Sequence, residues 1–505
     1  MQGDDILMTM EQRLAAQRHA FLRDGAPTIA QRKAALRRLR SAILAQRGAL
    51  TAAVSADFGH RSPYETEILE ILVTVQAIDY LLRNLKRFMQ PERRHVALPY
   101  QAGRAYVQYQ PKGVIGIMAP WNYPFSLTFI PLATALAAGN RVMLKPSELT
   151  PRTSQLIETM LAALFPADEV AVVTGGPDVG AGFSELAFDH LVFTGSTAIG
   201  RQVMQAAGKN LVPLTLELGG KSPAVVAPGA VNARTVKSVA FGKLSNAGQT
   251  CIAPDFLLIH QDDVENFIAL YDAAVKAFYP DGPTSHDYGA IINDRHYHRL
   301  QDLLTDAQAR GARIVPVGNR PDSAAERPKT LAPTLIVGAP DDSRIMQEEI
   351  FGPLLPVRTY AAFDEAIDVI NAGPRPLALY YFGPGGAQQD RLLARTTSGN
   401  VSVNATLLHF AQDDLPFGGI GPSGMGACHG IEGFRALSHA KGVFIQSRWR
   451  FIDLLRAPFG RLADAVLKVM LRRRLSAALT INNTAMNRHK LSQYSIIPIL
   501  SLRRR

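Results

Sequence analysis

Only two cysteines occur in 505 residues. No disulfide framework can be built from them, and a reducing cytoplasm is the expected setting. No stretch reaches about 18 uninterrupted apolar residues, so no membrane span is expected. The start, Met1-Gln-Gly-Asp-Asp-Ile6, lacks the basic residues and apolar stretch of a secretory signal. Internal repeats and long low-complexity linkers are missing too, which excludes a repeat array. Most of the chain also lacks an excess of either charge. The net charge is +11, yet Arg448–Arg505 alone holds 13 Lys/Arg against Asp453 and Asp464. Residues 1–447 are therefore neutral and offer no basic face to nucleic acid. The basic tail reads first as a solvated extension. A weak electrostatic contact with an anionic surface is the sharper alternative. Its aromatics are few (Trp449, Phe451, Phe459 and Tyr494), too sparse to form a stacking surface for bases, so no specific nucleic-acid partner is expected.

What is present fits a globular enzyme of two or three domains: 47% apolar residues and 32 prolines. Residues 10–90 read as helical, with Ile29–Gln46 rich in Ala, Leu and Arg. In Glu65–Phe88, Ile68, Leu69, Leu72, Val75, Ile78 and Leu82 recur at helical spacing. Residues 93–111 alternate around Gly103 and predict a hairpin. From Gly113, short apolar strands alternate with helices: Gly113–Met118, the helix Pro131–Gly139, Arg141–Leu144, a helix near Thr153–Leu164, Val170–Val173 and His190–Phe193. A helix starting at Ser196 closes this series. A second series runs from near Pro223 to about Val403. This alternation predicts an α/β fold with mostly parallel, doubly wound sheets.

Cys251 ends the run Asn246-Ala-Gly-Gln-Thr-Cys251, 34 residues after Glu217 in Glu217-Leu-Gly-Gly-Lys-Ser-Pro223. A free cysteine is more often a small buried apolar residue than a nucleophile. A thiol near a carboxylate, however, is a plan for covalent catalysis through a thioester. Asn122, within Pro120-Trp-Asn-Tyr-Pro124, could offer its amide to an oxyanion, although turn asparagines beside proline are common. The turn Phe193-Thr-Gly195-Ser196 aims backbone N–H groups and a helix N-terminus at a phosphate. Lys145-Pro-Ser147-Glu148 lies at a strand's carboxyl end, where open sheets bind ligands. There Glu148 can accept from ribose hydroxyls while Lys145 donates, and an acid at that point repels a 2′-phosphate. NAD is thus expected over NADP. Cys428 has no such setting in the sequence and reads as structural.

Together these runs resemble the aldehyde dehydrogenase superfamily over roughly residues 10–450. They include Glu348-Glu-Ile-Phe-Gly-Pro353 and Leu415-Pro-Phe-Gly-Gly-Ile-Gly-Pro-Ser-Gly-Met-Gly426. The Ser-Gly-Met-Gly segment is similar to the class 3 branch. Within that branch, Asn404–His409 and Gln412–Gly421 look most like bacterial coniferyl aldehyde dehydrogenases. The resemblance implies a Rossmann-like cofactor domain (1–92 with 112–216) and a catalytic domain (217–403). It also implies a bridging, oligomer-forming sheet (93–111 with 404–450), ahead of a basic extension (451–505), partly disordered. A homodimer is the expected assembly.

The resemblance also implies roles. Cys251 would attack an aldehyde, Asn122 and the Cys251 N–H would hold the alkoxide, and Glu217 would activate water against the thioester. Glu349 would bind the nicotinamide ribose, with Phe351 and Trp121 near the cofactor, alongside Lys145, Ser147, Glu148, Gly195 and Ser196. No metal is implied. The expected substrate is an aromatic aldehyde such as coniferaldehyde, with a long-chain aliphatic aldehyde as the near alternative. A CoA-acylating enzyme would lack a base like Glu217, and a catalytically silent protein of this fold is the alternative from another class. The stretch after about Leu475, with Asn482–Asn487 and Arg503–Arg505, matches nothing in the family.

Overall fold

The computed structural model describes residues 3–97, 100–319, 327–448, 450, 452–453 and 456–471. Leu98 of the expected hairpin, and the Asn482–Asn487 and Arg503–Arg505 runs, lie outside the described residues. The chain divides into two units, Met1–Gln90 with Tyr109–Ala440, and Pro91–Gln108 with Lys441–Arg505.

The first unit holds two sheets, each flanked by helices. One has six strands in the order Gly424–Met425, Leu214–Leu218, His190–Gly195, Val114–Met118, Arg141–Lys145, Val170–Val172. All neighbours run parallel except Gly424–Met425, which pairs antiparallel with Leu214–Leu218. Every residue of Val114–Met118 is buried. Ile115 and Ile117 pack with Phe125, Phe129 and Leu132 on one face, while Val114 and Met118 pack with Phe183 and Leu191 on the other. A parallel strand covered on both faces reads as a continuous apolar run, which is why Gly113–Met118 was legible as a strand. Each such side chain contributes about 1.5–3 kcal/mol on burial. The other sheet has seven strands, ordered Arg313–Pro316, Thr334–Val337, Leu354–Tyr360, Phe256–His260, Pro223–Val226, Ala378–Phe382, Asn400–Val403. Only Arg313–Pro316 runs antiparallel to its neighbour.

Three elements differ from the sequence expectation. The helix expected from Pro131 begins at Ser126 and carries Pro131 inside it. Its start is fixed by a remote group, because the Glu70 carboxylate accepts from the N–H groups of Phe125 and Ser126 at 2.8 and 3.1 Å. The expected Glu65–Phe88 helix is Pro63–Thr66, a π-helical turn Glu67–Leu72, and Val73–Phe88. The wide turn rotates the stripe. Glu70 and Ile71 face inward, while Ile68 and Leu72 stay about half exposed, at 52% and 47%. Helix Pro177–Glu185 gives no clear signal in the sequence, being short and carrying Gly180 and Gly182 inside it.

In the second unit Glu92–Arg94 pairs antiparallel with Arg104–Pro111, Glu92 facing Val107. Ser438–Ile445 completes this three-stranded sheet. Gly103 leaves no room for a side chain, since a Cβ would sit 2.8 Å from the Phe444 ring. Among the described residues no helix is long and apolar enough to cross a membrane.

Candidate active site

Glu217 stands near the end of strand Leu214–Leu218, between Thr194 on one neighbouring strand and Gly424 on the other. It is 6% exposed, and neither carboxylate oxygen makes a hydrogen bond of ordinary geometry. Burial holds its carboxyl well above the usual range, and the facing Cys428 thiol draws it partly back.

Cys251 follows helix Ala233–Leu244 through a tight turn in which Asn246, Ala247 and Gly248 have φ of 52°, 50° and 77°. Left-handed backbone costs Asn and Ala about 1–2 kcal/mol each, so the surroundings must impose it. They do so through amide side chains. Asn246 Nδ2 donates to the Asn122 carbonyl at 2.9 Å and to the Gln249 carbonyl at 3.2 Å. Gln249 Nε2 donates to the Asn246 and Ala290 carbonyls, and its Oε1 accepts from the Ile292 N–H, all at 3.0 Å. Gly248 has to be glycine twice over, because a Cβ would also sit 2.2 Å from the Gly352 carbonyl oxygen. The Cys251 sulfur rests against its own and the Ile252 backbone N–H. Burial, then the Glu349 and Glu217 carboxyls, push its thiol up to about 12.

Asn122 is tied to the same turn, Nδ2 donating to the Gln249 carbonyl at 3.1 Å. One amide hydrogen is thus engaged, and the group carries two. Its own carbonyl accepts from Arg61 at 3.3 Å as well as from Asn246. Arg61 is wholly buried and pairs with Glu70 at 2.7 Å. Burial raises the Glu70 carboxyl, while Arg61 and the two backbone N–H groups draw it back. Tyr123 adds a hydroxyl contact to Thr250 at 2.7 Å. Asn122 and Cys251 are thereby held as one rigid piece.

Two cavities meet at this piece. A funnel of about 200 Å³ is lined almost wholly by apolar side chains, among them Leu69, Leu72, Phe241 and Leu408, with Cys251, Thr250 and Tyr123. A second, smaller and more enclosed chamber of about 20 Å³ is lined by Glu217, Cys251, Cys428 and His429, with Phe410 and Phe417. That is room for about one water molecule. Leu127, Cys251 and Phe410 border both.

The other expected site residues fall in two groups. Glu349 is close enough to Cys251 to affect its thiol. It accepts from the Gly220 N–H, and burial followed by Asp255 pushes it up to about 7. Gly219 lies against it, where a Cβ would overlap the carboxylate at 2.2 Å. Trp121 packs on Phe351 and His296, with ring centroids 5.4 and 5.1 Å away, and Phe351 has φ +52°. The second group stands at the carboxyl ends of the two strands that flank Val114–Met118. On one, Lys145 pairs with Glu148 at 2.9 Å, and the Ser147 hydroxyl accepts from the Leu149 N–H. On the other, Gly195 ends the strand, and Ser196 caps helix Thr197–Gly208, accepting from the Ile199 N–H at 3.4 Å.

Cys428 is a correction to the sequence reading. It shares the chamber with Glu217 and Cys251, because the Gly424–Met425 strand brings its loop over Glu217. His296, His429, the Arg61–Glu70 pair and the funnel wall at residues 68–76 were also missed. A buried ionic pair nine residues apart leaves no mark on an apolar periodicity.

The "Aldehyde dehydrogenase family" model matches residues 8–443. Coniferyl aldehyde dehydrogenase of Pseudomonas sp. (strain HR199) is 45% identical over 454 residues, covering 90% of this chain and 94% of that protein. The substrate-bound structure of Staphylococcus aureus AldH superposes with a TM-score of 0.85 at 36% identity, covering 92% of this chain and 99% of that one. A Mycobacterium tuberculosis aldehyde dehydrogenase complexed with NAD+ gives 0.79 at 28% identity, covering 86% and 90%. The chain belongs to the aldehyde dehydrogenase family.

Proposed function

We propose that the protein oxidises an aromatic aldehyde such as coniferaldehyde to its carboxylic acid, with NAD or NADP as acceptor, through a thioester on Cys251. The observation that carries this reading is the placement of Cys251 between an apolar funnel and a smaller, more enclosed chamber holding Glu217. The substrate class is supported by the 45% identical coniferyl aldehyde dehydrogenase and by a funnel that suits a flat apolar body.

The residues then divide the work. The Cys251 sulfur adds to the carbonyl carbon as its proton passes to solvent water at the funnel. The carbonyl oxygen, now carrying the electron pair, is met by the free Asn122 amide hydrogen and the Cys251 N–H. Two such donors contribute several kcal/mol when they are set in place beforehand. Bound NAD or NADP supplies the hydride acceptor that makes the step an oxidation. The residues present fit a dinucleotide: the capped helix start at Gly195–Ser196 for phosphate, Lys145–Glu148 for a ribose, and the buried Glu349 beside Phe351 and Trp121 for the other end. Glu148 supports a preference for NAD. Once the acyl group rests on sulfur, Glu217 takes a proton from water, and the hydroxide oxygen displaces the thiolate as acid. A buried carboxyl of raised pKa suits that task better than an exposed one. Family membership supports a small-molecule enzyme, and action in the cytoplasm as a homodimer is part of the same proposal.

One observation favours a second substrate. Ile68, Leu72, Phe241 and Leu408 are apolar and 42–53% exposed at the funnel wall, which also suits a long aliphatic aldehyde. Absorbance at 340 nm with NAD, and separately NADP, over coniferaldehyde, benzaldehyde and aliphatic aldehydes of rising length decides between them. Highest kcat/KM for coniferaldehyde supports the first reading, and a steady rise with chain length supports the second. No reduced cofactor from any aldehyde refutes both.

A further inference from the structure

Cys428 is left without a task by this reading, yet its position is tightly fixed. Gly424 pairs directly opposite Glu217, so the chain leaving that pair passes over the glutamate. The Cys428 N–H donates to the Phe417 carbonyl at 2.9 Å. On its other side, Gly433 packs so closely that a Cβ there would sit 2.4 Å from the Cys428 carbonyl oxygen. The thiol therefore enters the chamber because the backbone puts it there.

Inside the chamber Glu217 presents two buried oxygens with no regular hydrogen-bond donor. The polar side chains that line the chamber with it are Cys251, Cys428, Thr194 and His429, and no hydroxyl donates to the carboxylate. His429 is held neutral by burial, pushed down to about 4, and its own Nδ1 has no partner. The Cys251 sulfur is the atom that becomes acylated, so it has no hydrogen to give when Glu217 must act. Cys428 is the group whose S–H comes within reach of the carboxylate.

We propose that Cys428 is a positioning residue for Glu217: its S–H turns to the ionised carboxylate and holds it in the chamber beside Cys251. The proposal rests on the reading of Glu217 as the group that takes a proton from water. A thiol suits the role because burial and the neighbouring carboxylate raise its own pKa, so it donates without titrating. Its removal leaves an ionised carboxylate in an apolar chamber with one donor fewer. The base then ionises only at higher pH, and thioester hydrolysis follows it.

The test measures that hydrolysis directly. The protein is mixed with NAD and an equimolar pulse of benzaldehyde and quenched in acid. Intact mass then follows decay of the acyl adduct from about pH 6 to pH 10. In Cys428→Ala, adduct formation should match the wild type, while the pH limb of its decay moves up by about 0.5–1 unit. Decay below the limb is then about three- to tenfold slower. Cys428→Ser, which keeps a donor of similar size, should return the limb to the wild-type position or below it. A Cys428→Ala limb within about 0.2 unit of wild type, or a Cys428→Ser limb displaced as far as that of Ala, overturns the proposal. Glu217→Gln separates the two levels. Its adduct should form and persist at every pH, whereas wild-type decay, or no adduct at all, removes the base reading and the Cys428 role with it.

Discussion

Replacing Glu70 by Ala should damage both stability and turnover, and the structure sets the size of each effect. The substitution takes the close partner from the Arg61 guanidinium, which is 0% exposed and keeps only the longer contact with Glu65 at 3.8 Å, and removes the acceptor for the Phe125 and Ser126 N–H groups. Breaking a buried ion pair from one side costs about 3–5 kcal/mol. Each stranded N–H adds about 1 kcal/mol more where water cannot reach it. A loss near 5 kcal/mol in a unit of this size lowers Tm by roughly 5–8 °C if the unit melts cooperatively. Arg61 also holds the Asn122 carbonyl, so the amide over Cys251 loosens, and kcat should fall by about tenfold or more. The double variant Arg61→Met/Glu70→Leu removes both members of the close pair, though Glu65 loses its 3.8 Å contact with Arg61, and should recover part of the lost Tm. Its kcat should stay low, because the Asn122 tether is still missing. Calorimetry and NADH formation on the three proteins read all of this. A Glu70→Ala Tm within about 2 °C of wild type, or a double variant no more stable than Glu70→Ala, would refute the reasoning.

The glycine before the nucleophile gives a paired test: Gly248→Ala meets the Gly352 carbonyl, whereas Gly229→Ala, at similar φ (+71°), meets nothing within 4 Å. Gly229→Ala should cost about 1 kcal/mol of backbone strain and keep activity; Gly248→Ala should cost well over twice that and lose activity, as read by urea midpoint and NADH rate. With the Cys251 thiol pushed up to about 12 by burial, alkylation of Cys251 by iodoacetamide without cofactor should rise about tenfold per pH unit from pH 7 to 10. A plateau near pH 9, as for an exposed thiol, would contradict that placement. Acid should weaken the fold through His190, which burial and then Lys112 push down to about 3. The unfolded chain takes up this proton below about pH 6.5 and the folded one does not. Stability is therefore lost as pH falls from about 6.5 toward 3, at about 1.4 kcal/mol per unit. His190→Gln should remove that contribution from the pH slope of the urea midpoint, and an unchanged slope would assign the acid loss elsewhere.

The sheets were legible because parallel strands buried on both faces are written as short apolar runs, as in Val114–Met118 and Arg141–Lys145. Cys251, Glu217 and Asn122 were legible as motifs, and the structure sets Cys251 and Glu217 on one chamber, with Asn122 tied to the Cys251 turn. What holds them was not. Glu70 sits in a helix whose apolar stripe gives no hint of a π-helical turn, so nothing marks the charge at that position as buried. Cys428 reaches Glu217 only through strand pairing across some two hundred residues, and no local pattern encodes that pairing. The funnel draws its walls from residues 68–76, 241 and 407–411, which meet only after folding.

The most direct measurement is peptide mapping of the acid-quenched protein after mixing with NAD and coniferaldehyde. The account predicts one acyl group per chain on the peptide carrying Cys251, together with one equivalent of NADH, and neither in Cys251→Ala. An acyl group on another residue, or oxidation that survives in Cys251→Ala, would contradict it.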